Sequence, residues 1–448
     1  MIGKRLFVLL ACSFAVMIGV GITLPVLPFY VERLAQAEGA TRRAIVMHVV
    51  LLTAAYPLGQ LVFAPMWGRW SDRLGRKPLL LVGIGGYVIA QILFGLATSL
   101  WLLYMARMVG GMLSSATLPV SAAYVADATT EGERGRGMAW LGTATSLGFV
   151  IGPALGGMLA RRDLHFTASY RHLMIDGFSI PFFAAAALGL FTLVAAMRWL
   201  PESVSAVGPR SRREGPEPDW RALVRSLSPL LGLALVAQFA LAMFEATFVL
   251  HAQAVLNYGP AEVGVVFVVC GLVMAVFQVG ASGLLARRVG QMGQIGMGFA
   301  LMGTSLAVLM MPRRMVYVFA LVGLLALGMA LISPNLSALI STRGGSRRAG
   351  AALGAQNAAN SLGQVSGPLV GGALFVWVME APYVLSGGLL VAVALVIGWK
   401  GLRGRRAAAL AGPHWPRGSS GVEGEDTHGK SEGPSSSERL RRDRQARG

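Results

Sequence analysis

Charge is what this 448-residue sequence has least of: 13% of its residues are Asp, Glu, Lys or Arg, against 54% that are hydrophobic. A soluble domain carries about 25% charged residues so that its surface can face water, and this composition does not suit such a surface. Cysteine is almost absent. Cys12 and Cys270 both lie inside apolar blocks, which excludes a disulfide framework and a cysteine metal site and leaves them as small core hydrophobes. No GxxxxGK[ST] phosphate loop occurs, nor a soluble segment large enough to hold one, so ATP is not the expected energy source. Paired carboxylates, a nucleophile with its base, and His/Cys/Asp/Glu clusters are lacking too, so neither an enzyme nor a bound metal or cofactor is expected. Acidic residues are scarce, 21 against 39 Lys and Arg, for a net charge of +18. The basic excess sits in connecting loops and in the last 48 residues, where membrane topology explains it without a nucleic-acid partner.

What the sequence has in abundance is long apolar runs. Twelve spans are expected, at 6–30, 44–66, 78–98, 101–124, 137–160, 175–198, 226–252, 260–286, 291–312, 316–340, 350–377 and 382–401. Each suffices to cross about 30 Å of hydrocarbon. The first, Leu6–Tyr30, is too long for the core of a cleavable signal and has no small-residue cleavage site. With both termini on one side, that side holds 30 of the 39 Lys and Arg, the other side holds eight, and Arg107 lies within a span. The positive-inside rule therefore predicts cytoplasmic termini. The expected organisation is an N-terminal six-helix bundle (1–200), a cytoplasmic linker (201–224), a C-terminal six-helix bundle (225–402) and a disordered basic tail (403–448). In this reading the fold is an all-α membrane protein of two pseudo-symmetric bundles.

The halves repeat. A shift of 215 residues places SLGFVIGPALGG, from Ser146, on SLGQVSGPLVGG, from Ser361, with eight of twelve positions identical. The same shift places Pro119 on Pro334, Gly68 and Gly75 on Gly283 and Gly290, and Arg73 on Arg288. Such six-plus-six symmetry is expected of a transporter whose site lies between its halves.

Several motifs carry a family resemblance. GRWSDRLGRKPLL (68–80), Arg107 with Gly110 and Gly111, GFVIGPALGG (148–157), LPVLPFY (24–30) and LPES (200–203) together resemble the major facilitator superfamily. The likeness is strongest to its twelve-span drug:proton antiporters, including tetracycline-type exporters, and covers residues 1 to about 401. It implies an inner-membrane transporter, monomeric, working between the lipid bilayer, protons and a small-molecule substrate. Tetracycline-type exporters carry acidic residues in spans 3 and 9. Residues 78–98 and 291–312 contain none, so their coupling cannot be copied across and tetracycline becomes a less apt substrate.

Asp72, with Arg73, Arg76, Asp127 and Arg134, is the expected gating set. A carboxylate at 72 would favour the positive end of span 11, worth about 0.3–1 kcal/mol when exposed, and only when the halves close on the cytoplasmic side. Arg76 is placed to pair with Asp127. Gly148, Gly152, Pro153, Gly156 and Gly157, with their copies Gly363, Gly367 and Pro368, would form the hinge and close helix packing. Arg107 and Glu245 are the clearest intramembrane charges, at matching depths, so an ion pair or a shared cavity is expected. The coupling hypothesis is that Glu245 carries the proton and Arg107 tunes its affinity. A fixed ion pair, or a Glu245 that attracts cationic drugs, is the bland alternative. Tyr56, Gln60, Phe244, Phe248, Asn357, Asn360 and Gln364 are the candidate pocket, the last three forming one stripe at i, i+3 and i+7. The expected function is proton-coupled efflux of amphipathic, drug-like compounds. An uptake symporter, an uncoupled facilitator, or a transport-inactive sensor are the rival readings.

Overall fold

The computed structural model describes residues 2–410 except 130, 161–167, 171–172, 176, 203–219, 287–288, 312–313 and 346–348. Apolar residues fill long stretches of the chain, and a chain that must satisfy its backbone in an apolar medium does so as helix. The elements are α1 (Ile2–Ala37), α2 (Arg42–Leu74), α3 (Arg76–Gly95), α4 (Leu100–Leu113), α5 (Thr117–Ala128), α6 (Glu131–Leu159), α7 (Ile180–Trp199), α8 (Trp220–Val255), α9 (Pro260–Ala286), α10 (Gln291–Val308), α11 (Met315–Gly344), α12 (Ala349–Trp377) and α13 (Ala381–Leu410). A 3₁₀ turn at Ser114–Ala116 joins α4 to α5. Pro119 explains the break: its ring conflicts with the carbonyl four residues back, at Ser115.

Ten helical segments among the described residues are long and apolar enough to cross a membrane. The predicted ninth and eleventh spans, α10 and α12, fall outside that group. Gln291 and Gln294 begin α10, and Gln356, Asn357, Asn360 and Gln364 interrupt α12. The helices overrun the predicted spans because they continue past the hydrocarbon; α1, at 36 residues, is about 54 Å long. The sixth span begins later than expected. Leu173–Ile175 pairs antiparallel with Ala168–Tyr170 as a short hairpin, and α7 starts only at Ile180. Part of the predicted linker is helical, since α8 begins at Trp220, and α13 runs on to Leu410, past the predicted bundle end. Tail residues 411–448 lie outside the described residues.

Many large side chains face outward, Phe191 at 67% exposed and Leu395 at 69% among them. In water such a surface would aggregate; against lipid it is the solvated face. Trp101, Tyr317 and Trp377 are exposed near one set of helix ends, and Trp70, Trp140 and Trp199 near the other, as aromatic belts require.

Residues 1–401 form one compact unit, and a second begins at Leu402, of which the end of α13 is described. Within the first, α1 packs on α6 and α7, α3 on α4 and α7, α8 on α12, and α11 on α9 and α10. The N-terminal helices meet the C-terminal ones mainly where α6 packs on α9 and α2 on α12. The repeat appears in these contacts. A Cβ at Gly152 would lie 2.6 Å from the Ile18 carbonyl of α1, and one at Gly367 would collide with the Phe239 carbonyl of α8. A Cβ at Gly157 would meet Pro260 of α9 at 2.6 Å, and one at Gly372 would collide with Val50 of α2. Each copy of the motif therefore lets its helix lie against the first helix of its own half and the second helix of the other.

Candidate functional site

A cavity of about 430 Å³ lies between the two sets of helices, within the range of about 300–1,000 Å³ that small-molecule sites occupy. Helical spacing selects its lining. On α2 it is Thr53, Tyr56, Pro57 and Gln60; on α8 it is Gln238, Leu241, Ala242 and Glu245. Both are i, i+3, i+4, i+7 stripes, one face of each helix. Met17, Val20 and Leu24 of α1, Phe149 of α6, Met274 of α9, Met329 of α11, and Gln364 and Pro368 of α12 complete much of the wall.

Arg107 and Glu245 both line this cavity. Glu245 is the one residue from Ala240 to Ala252 that is not buried, and the cavity is what it opens onto. Arg107 is 8% exposed. Its guanidinium carbon lies 5.7 Å from the ring centres of both Tyr56 and Phe94, within cation–π reach. Tyr56 is itself held by a 3.0 Å hydrogen bond between its hydroxyl and that of Ser114. Of the two arrangements expected, the structure has the shared cavity: among the described residues no Arg107–Glu245 contact falls within 4.0 Å. Their helices, α4 and α8, come from opposite halves and do not bring the charges together.

Four predicted pocket residues fall elsewhere. Phe244 and Phe248 are each 1% exposed and pack on Phe267 in the core, with ring centres 6.1 and 6.2 Å from it. They stand beside the Glu245 stripe on α8, turned toward α9. Asn357 and Asn360 share the face of Gln364 but lie about two turns and one turn nearer the start of α12, outside the cavity lining. Several lining residues carried no distinctive sequence signal, among them Gln238, Thr53 and Ser333. The i−7 spacing of Gln238 from Glu245 would have found it.

Of the predicted gating set, Arg73, Arg76 and Asp127 stand at the turn between α2 and α3. Gly75 bridges the helices at φ +98°, a conformation that favours glycine, and a Cβ there would also lie 2.6 Å from Glu202. Arg76, 5% exposed, donates from Nε to Asp127 Oδ2 at 3.0 Å and from Nη1 to Ser71 Oγ at 2.5 Å. Glu202 accepts the backbone N–H of Arg76 at 2.8 Å and of Lys77 at 3.2 Å. It supplies the acid that a helix N-terminus favours. This partner was missed, although it stands in the LPES segment. Arg73 is exposed; the side chains of Asp72 and Arg134 lie outside the described residues.

The helices close at the end remote from the termini. There Gln253 of α8 donates to the Glu32 carboxylate of α1, and Arg43 of α2 lies over the Trp377 ring of α12 at 5.9 Å. Gly157 and Gly372 seal the same end. Toward the other end of α6 and α12, Gly142, Gly350 and Gly354 have no neighbouring atom within 4 Å of a Cβ position.

A family model described as the Major Facilitator Superfamily matches residues 9–361. The chain belongs to the Major Facilitator Superfamily. This facilitator is 29% identical over 415 residues to Multidrug resistance protein 2 of Bacillus subtilis (strain 168), spanning 90% of this chain and 98% of that protein. It is 31% identical over 361 residues to the class G Tetracycline resistance protein of Vibrio anguillarum, spanning 80% and 86%. Among solved structures, the human organic anion transporter MFSD10 (TETRAN) shares the fold at a TM-score of 0.64 and 21% identity, over 88% of this chain and 99% of that one. The facilitator is thus a multi-pass membrane transporter for small molecules, and not an enzyme.

Proposed function

We propose that this facilitator exports amphipathic, drug-like small molecules in exchange for protons by alternating access. Glu245 carries the proton, and Arg107 sets its affinity from across the cavity. The observation that carries the reading is the isolation of Glu245: one accessible carboxylate in a buried stretch of α8, opening onto the cavity between the halves. A charge at that depth costs at least about 2.5–3.5 kcal/mol. A carboxylate kept there without a hydrogen bond or ion pair among the described residues suits a group that alternates between ionised and protonated forms. The curated relatives named as multidrug and tetracycline resistance proteins lend weight to export and to this substrate class.

In this reading both termini are cytoplasmic, and residues 1–200 and 225–402 rock as two bundles. The cavity then faces the cytoplasm here, sealed outward by Gly157, Gly372 and the Glu32–Gln253 bond. The Arg76–Asp127 pair braces the α2–α3 turn, and Asp72, in the last turn of α2, bears on α12 when the cytoplasmic side shuts. Inside-out membrane vesicles with a pH-sensitive dye, challenged with dyes, biocides and antibiotics, test it. Substrate-triggered proton movement that is lost in Glu245→Gln supports the exchange. Transport that is indifferent to pH and to Glu245→Gln would replace it with an uncoupled facilitator.

A further inference from the structure

The cavity holds two opposite charges, and among the described residues neither has a hydrogen-bond or ion-pair partner. Among the described residues the Arg107 guanidinium makes no hydrogen bond and no ion pair, and its Nε is wholly shielded without an acceptor. A guanidinium carries five donors in a planar fork that matches a carboxylate. The Tyr56 and Phe94 rings border this one, each centred 5.7 Å away. Ring faces orient a cation and leave its donors unused. Glu245, likewise, has no hydrogen bond or ion pair among the described residues, although it opens onto the same space. A fixed structural pair would have closed this gap, because one charge buried without the other is costly. The wall also includes Leu241, Met274 and Met329, apolar and deformable.

We propose that the substrates of this carrier are amphipathic zwitterions, which seat a carboxylate, or a similarly flat anion, on Arg107 and present a protonated amine to Glu245. The apolar body lies along Leu241, Met274 and Met329. A purely cationic compound leaves Arg107 unmatched, and a purely anionic one leaves Glu245 unmatched. Because Arg107 belongs to one half and Glu245 to the other, a zwitterion bridges the halves, which gives it a stronger hold on one conformation than either charge alone. The inference rests on the reading of this cavity as the transport site, but it does not require proton coupling.

Equilibrium binding to the purified full chain in lipid nanodiscs tests it, with no proton gradient present. The probes are dansyl-labelled amino acids with a short and a long spacing between amine and carboxylate, each also as its methyl ester and its N-acetyl form. For at least one spacing, the zwitterion should bind wild-type protein more than about tenfold tighter than either blocked form, the scale of one charge-assisted hydrogen bond. Arg107→Gln should erase the preference over the ester, and Glu245→Gln the preference over the N-acetyl form. Arg107→Lys should keep part of the former. Esters that bind wild type as tightly as the zwitterions at both spacings would overturn the proposal. So would variants that weaken all three forms alike, which marks a structural role. The wild-type comparison needs no variant to fold. Proton movement in vesicles reports separately, so a failed exchange reading with an intact zwitterion preference is distinguishable from the reverse.

Discussion

Arg76 and Arg107 make an instructive pair. Both are almost wholly buried, at 5% and 8% exposed, and both stand on helices of the first half. Arg76 spends its donors on Asp127 and Ser71, while its backbone N–H goes to Glu202. Arg107 has the Tyr56 and Phe94 rings beside it and, among the described residues, makes no hydrogen bond. The difference separates two uses of a buried cation. A satisfied one braces a turn, and its loss should be felt in stability; in the proposed reading an unsatisfied one awaits a ligand, and its loss should be felt in binding.

Thermal unfolding of the purified protein gives the largest contrast. Arg76→Ala strips Asp127 of its guanidinium and should cost about 3–5 kcal/mol, the usual penalty for breaking a buried pair. An unchanged unfolding temperature would erase the distinction. Arg107→Gln should leave that temperature unchanged or raise it, since an uncompensated charge is removed. Substrate transport should nonetheless fall more than about tenfold, or about 1.4 kcal/mol. Unfolding of Arg107→Gln at the Arg76→Ala temperature would show both arginines to be structural. The double variant Arg76→Leu with Asp127→Leu sharpens the point. Replacing both partners by apolar groups is often close to neutral, so most of the single variant's loss should return. Glu202→Gln is the smallest test: it keeps the acceptor at the start of α3 but removes its charge, for about 0.3–1 kcal/mol, read as a slight fall in the same unfolding curve.

The Arg76–Asp127 contact was legible because the motif loop and the end of α5 stand on the same side of the membrane, and few other acids compete there. The close packing of α6 and α12 was legible too, because glycines at helical spacing admit a neighbouring backbone. The faces of α8 were harder. Phe244 and Glu245 are sequence neighbours, but a helix turns 100° per residue, so a pocket that takes one turns the other into the core. Apolar residues surround both, and with lipid outside and core inside there is no polar face to orient the helix. Asn357 and Asn360 lie outside the cavity lining for another reason. Their face was right, but depth along α12 decides which residues reach the cavity.

Hydropathy and charge in this chain were enough for the helices, the membrane-spanning class and the two unusual intramembrane charges, because burying a charge or a bare backbone in lipid is costly wherever it occurs. Whether those charges pair was decided only in three dimensions. Arg107 and Glu245 match in depth along their own helices, yet depth says nothing of the distance between α4 and α8. That distance depends on how α6 packs on α9 and α2 on α12, contacts between residues roughly a hundred positions or more apart in the chain. The same packing left the carboxylate and the guanidinium facing a shared space, and so made a cavity out of what the sequence alone would equally allow to be a salt bridge.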